Sequence, residues 1–211
     1  MQVTEWYSLK TLMIPSSWVA LVSSFVLMWL LLRVLYRKEI ANIFLDAVLQ
    51  LILVWKFSVI VTDFSMVIKQ PLTILYFNGG MMGFGIGILF MCGTLWYKFH
   101  QNRLKEDALQ AVFMTIILCS SSYQIWMASL NDATLWQKAL TITGFSCWII
   151  LALWKRKEKP IWHRQLLLLF LCTHVLIATL QPLGIWQLSV FVTFIFVIFN
   201  LTLKSNHLKI S

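Results

Sequence analysis

Leu151-Ala152-Leu153-Trp154-Lys155-Arg156-Lys157-Glu158-Lys159-Pro160-Ile161-Trp162 runs from one long apolar stretch into another through a short cationic gap. Working outward, the gaps alternate between basic and almost uncharged. Apolar segments cover about 17–36, 40–61, 79–97, 109–130, 139–154, 161–180 and 185–203. A bilayer core needs about 20 apolar helical residues per crossing, so seven crossings use nearly all of the 211 residues. On one side lie Arg33, Arg37, Lys38, Lys98, Arg103, Lys105, the basic gap with Arg164, and Lys204 and Lys209. The other side has Lys10, Lys69 and Lys138, and Lys56 lies within a segment. Positive charge is retained in the cytoplasm. The expected fold is therefore an all-α, polytopic membrane domain of seven helices, with the N-terminus out and the C-terminus in.

The composition excludes other classes. Hydrophobic residues are 60% and charged residues 12% of the chain, more apolar surface than one soluble core can use. The net charge of +9 is a topology signal. Nucleic-acid binding would need the basic residues on one solvated face, so no nucleic-acid partner is expected. The first sixteen residues lack a basic start followed by an apolar run and do not read as a cleaved signal peptide. Cys92, Cys119, Cys147 and Cys172 fall in four different segments without CxxC spacing. They read as small apolar residues, and neither a metal site nor a cofactor is expected. Trp6, Trp18, Trp96, Trp136, Trp154, Trp162 and Trp186 lie near segment ends, as interfacial aromatic belts do. No internal repeat of the inverted kind found in transporters is evident.

A few residues stand out against this background. Gly79, Gly83 and Gly87 recur every four residues within a cluster that includes Gly80 and Gly85. Such a stripe permits close backbone packing or leaves a groove for a lipid or peptide. A dinucleotide fingerprint needs a preceding strand and a soluble helix, which this stretch lacks. Lys56, inside a segment, costs roughly 2.5–3.5 kcal/mol at mid-membrane on insertion scales. It either snorkels to the outer surface or holds a headgroup phosphate. Asp46 is about 15 Å lower on the same helix and does not pair with it. His174 is either a neutral interior hydrogen-bonding group or a base, and a base would need a substrate proton within reach. Asn78 opens the third segment beside the glycines, Tyr123, Gln124 and Gln187 are further polar residues of the interior, and 63–77, with Pro71, reads as an interfacial or re-entrant stretch.

Phe77-Asn78-Gly79-Gly80-Met81-Met82-Gly83-Phe84-Gly85, after Pro71-Leu72-Thr73-Ile74-Leu75-Tyr76, resembles a motif of the bacterial prolipoprotein diacylglyceryl transferases. Trp55-Lys56-Phe57-Ser58-Val59 falls where that family has a conserved arginine, and Gly184-Ile185-Trp186-Gln187-Leu188-Ser189 resembles its entry to the last span. Several family features are replaced. Phe84 stands at the essential histidine, and no arginine occurs between Arg103 and Arg156, where the signature arginine belongs. The extracytoplasmic head insert is reduced to Asn131–Lys138. Thiol acylation needs a base for the thiol and cations for the leaving phosphate. The resemblance thus implies a relative that has lost the chemistry, with no catalytic residue. It would lie in the bacterial cytoplasmic membrane and bind an anionic phospholipid or a membrane-protein partner in a lateral groove. Lipid-contact candidates are Lys56, Asn78, Gly79, Gly80, Gln124, His174 and Gln187. The alternatives are a phospholipid-dependent transferase and a small-solute carrier.

Overall fold

A computed structural model describes residues 3–9, 12–36, 38–72, 74, 77–101, 106–158 and 160–207. Lys10, Arg37, Thr73, Leu75, Tyr76, Arg103, Lys105, Lys159 and Lys209 lie outside the described residues. Two strands, β1 (Trp6–Leu9) and β2 (Leu12–Pro15), precede the helices α1 (Ser16–Leu35), α2 (Lys38–Phe57), α3 (Val59–Thr62) and α4 (Phe64–Lys69). Then follow α5 (Gly80–His100), α6 (Glu106–Leu130), α7 (Leu135–Trp154), α8 (Pro160–Thr179) and α9 (Leu188–His207). The fold is all-α apart from the hairpin. Among the described residues, six helical stretches are long and apolar enough to cross a membrane: Ser16–Leu35, Lys38–Thr62, Gly80–His100, Ala111–Leu130, Leu135–Lys157 and Trp162–Thr179. The apolar part of α9, Leu188–Thr202, is shorter.

The chain forms two compact units, one of residues 1–37 and 106–211 and the other of 38–105. In the first unit, α1 buries Ser16, Ala20, Ser24, Met28 and Leu32, a four-residue repeat that stacks on one helical face. Ala20 packs with Met127 and Ala128 of α6. On the same helix Val22, Val26, Leu30 and Val34 are exposed, while elsewhere in the unit Ser121, Gln124, Asn131, Thr141 and His174 are buried. Apolar residues facing out and polar ones facing in is the arrangement for a hydrocarbon solvent, where interior side chains must satisfy one another.

The N-terminal hairpin was not foreshadowed by the apolar pattern. It pairs Trp6 with Pro15 and Leu9 with Leu12, and Asn131, at the end of α6, fastens it. Asn131 Oδ1 accepts from the Thr4 amide at 2.8 Å and the Ser16 hydroxyl at 2.6 Å, while its Nδ2 donates to the Met127 carbonyl at 3.0 Å. The α7–α8 pair is joined at its end by Gln137 Nε2, which donates to the Leu180 carbonyl at 2.9 Å, and inside by Gln181 Nε2, which donates to Thr141 Oγ1 at 2.9 Å. The basic gap is a 3-10 turn, Lys155–Lys157. Lys155 Nζ lies 3.1 Å from Glu158 Oε1 and over the rings of Trp154 and Trp162.

In the second unit α2 and α5 pack side by side, with Thr94 Oγ1 donating to Gln50 Oε1 at 2.9 Å. The stretch expected to run unbroken to about residue 61 interrupts at Ser58, between α2 and α3. The cause is local. Ser58 Oγ donates back to the Trp55 carbonyl at 2.7 Å, and that carbonyl also accepts from the Gly79 amide at 3.2 Å. A carbonyl drawn out of the helical ladder in this way bends a helix. Beyond it, α4 occupies part of the stretch read as interfacial or re-entrant, and none of its residues is buried.

Candidate functional site

The glycine stripe faces α2. A Cβ at Gly79 or at Gly83 would run into Ser58 Oγ, and one at Gly87 would lie 2.9 Å from Leu51 Cδ1 and 3.1 Å from its carbonyl. Gly80 differs, since nothing lies within 4 Å of its would-be Cβ and its φ is +57°. That left-handed conformation favours glycine and starts α5. The Asn78 side chain stabilises it, with Oδ1 accepting from the Gly80 amide at 3.0 Å. Trp55 then clamps the turn twice. Its Nε1 donates to the Gly80 carbonyl at 2.8 Å, and its own carbonyl takes the Gly79 amide. Phe84 meets the Trp55 ring edge to face at 5.5 Å. Lys56 is half-buried and follows Trp55 directly in α2. Gly79 and Gly80, two of the lipid-contact candidates, are thus a buried packing position and an exposed turn.

Gln124, His174 and Gln187 belong to the other unit. His174 is 1% exposed and packs against the rings of Phe145 and Phe170, at centroid distances of 5.3 and 5.6 Å. Its nitrogens are both engaged. Nδ1 lies 3.0 Å from Thr193 Oγ1, and Nε2 lies 3.0 Å from Gln124 Nε2. The Thr193 hydroxyl donates its single proton to the Ser189 carbonyl, 2.9 Å away, so it accepts from His174 Nδ1–H. The ring is then neutral with a lone pair on Nε2, and Gln124 must present its amide nitrogen there. The second amide proton of Gln124 goes to Ser189 Oγ at 2.7 Å. This closes a ring of hydrogen bonds through α6, α8 and α9.

Such an arrangement orients and stiffens, but it does not activate a nucleophile. The hydroxyl bonded to His174 is an acceptor whose own proton is spent on a carbonyl, the reverse of a serine–histidine pair. Ser189 Oγ reaches the imidazole only through an amide. Gln187, 3% exposed, donates from Nε2 to the Gly184 carbonyl at 3.0 Å and shapes the turn before α9. No group of three or more His, Cys, Asp or Glu side chains able to hold a metal ion occurs among the described residues.

Sequence reasoning singled out Gln124, His174 and Gln187 as interior polar residues but missed Thr193, Ser189 and Asn131. The signal was present for Thr193 and Asn200, which fall on one helical face at i and i+7. Both are buried, within a segment otherwise rich in Phe, Val and Ile. No protein-family model, curated protein or solved structure matches the chain.

Proposed function

We propose that the chain is a seven-span membrane protein, N-terminus outside and C-terminus in the cytoplasm, that holds an anionic phospholipid headgroup at Lys56 without transforming it. The supporting observation is the half-buried position of Lys56 beside the Trp55 clamp. A lysine whose neighbour is fastened to the α5 turn is a cation kept near one place. Phe57, Ile60, Phe77, Met81 and Met82 are exposed in the same unit and suit acyl chains. The N-terminus of α5 adds a modest preference for negative charge.

The seventh span in this reading is α9, and the orientation follows from the basic gaps. The phospholipid class, and a bacterial cytoplasmic membrane as its setting, follow from the resemblance to prolipoprotein diacylglyceryl transferases. Phe84 argues against retained chemistry. Its ring packs on Trp55, and where the resembled transferases carry a histidine it can neither take a proton nor orient a phosphate. The test is mass spectrometry of lipid that co-purifies with the protein. Lys56→Ala lowers the anionic phospholipid retained, and Lys56→Arg keeps most of it. Equal retention in Lys56→Ala defeats the proposal and leaves Lys56 as a snorkelling residue.

A further inference from the structure

Ser121 Oγ and Gln124 Oε1 are buried side-chain oxygens with no hydrogen-bond partner among the described residues. They belong to residues 0% and 1% exposed, three positions apart on α6 and so on one helical face. Reversing the Gln124 amide would not relieve the position, since its nitrogen would then stand there without a partner. An unpaired buried oxygen forfeits the hydrogen bonds it makes in water, and two neighbours on one face share a remedy. We propose that Ser121 and Gln124 form a binding site, inside the first unit, for one small uncharged hydrogen-bonding molecule the size of water. The guest donates to Gln124 Oε1 and exchanges a hydrogen bond with the Ser121 hydroxyl, close to the His174 ring.

The chemistry around the site selects this class. An amide oxygen is an acceptor and repels anions. The hydrogen-bonding groups present, Ser121, Gln124, neutral His174, Ser189 and Thr193, carry no negative charge to offset a dehydrated cation. A buried water commonly makes about three hydrogen bonds to groups that would otherwise be unsatisfied. The site lies in the unit that does not contain Lys56, so it stands independently of the lipid reading.

Ser121→Ala separates the two possibilities by sign. With a bound guest, the substitution takes away one of its partners and lowers the melting temperature in detergent. Without one, it deletes an unsatisfied hydroxyl and leaves the melting temperature unchanged or raised, which overturns the proposal. The second measurement needs no variant. Radiolytic hydroxyl labelling of the unmodified protein in buffer oxidises side chains that border bound water even when they are shielded from bulk solvent. His174 is expected to be modified despite its burial. Unmodified His174 alongside labelled exposed tryptophans overturns the proposal.

Discussion

Gly83→Ala is the smallest change that probes the α2–α5 contact. The new Cβ would strike Ser58 Oγ and lie 3.1 Å from Ser58 Cβ and 3.4 Å from Trp55 Cδ1. To make room the serine hydroxyl must leave the Trp55 carbonyl that it now reaches at 2.7 Å, losing about 0.5–1.5 kcal/mol. Overpacking of the remaining contact adds about 1–3 kcal/mol. Alanine recovers about 0.5–1 kcal/mol of helix propensity. The net expectation is a loss of about 0.5–4 kcal/mol, or about 1–16 °C in melting temperature at roughly 2–4 °C per kcal/mol. Gly85→Ala is the internal control, since nothing lies within 4 Å of its Cβ position, and the same propensity term should leave it neutral or slightly stabilised. In a Ser58→Ala background the penalty at position 83 should shrink, with a coupling of about 0.5 kcal/mol or more. The assay is thermal unfolding, in one detergent, of the unmodified protein, the three single variants and the Ser58→Ala/Gly83→Ala double variant. A Gly83→Ala protein as stable as the unmodified one, or a penalty indifferent to Ser58, would refute this account of the stripe.

The topology is checked by reporter fusions: one after Lys209 should report cytoplasmic and one in the Asn131–Lys138 loop extracytoplasmic, and both on one side would end the seven-span reading. Asn131→Ala strands the Thr4 amide and the Ser16 hydroxyl, so the Thr4 amide should exchange hydrogen faster. Stability should fall by about 1–3 kcal/mol; unchanged exchange at Thr4 would show that the hairpin does not depend on Asn131. Purified protein should not transfer diacylglyceryl to a lipobox peptide, and Phe84→His should not rescue it. General acid–base help is worth about 10²–10⁴ in rate, but the signature arginine is absent as well. Robust transfer by the unmodified chain would reverse that conclusion.

The apolar helices were legible in the sequence because a hydrocarbon solvent leaves the backbone few options. Each crossing must satisfy its own amides, so length and composition alone mark Ser16–Leu35 or Gly80–His100 as helices. The i, i+4 spacing of Gly79, Gly83 and Gly87 likewise declared a smooth face without saying what covers it. Only the tertiary structure put Ser58 and Leu51 there. It also broke α2 at Ser58, through a carbonyl shared by residues 3 and 24 positions away in the chain. His174 shows the same division. Its presence in an apolar segment marked it as interior and polar. Its tautomer, and with it the orientation of Gln124, depends on where one threonine hydroxyl in α9 sends its proton. Periodicity records which way a side chain faces along its own helix, whereas hydrogen-bond direction is set by partners on other helices.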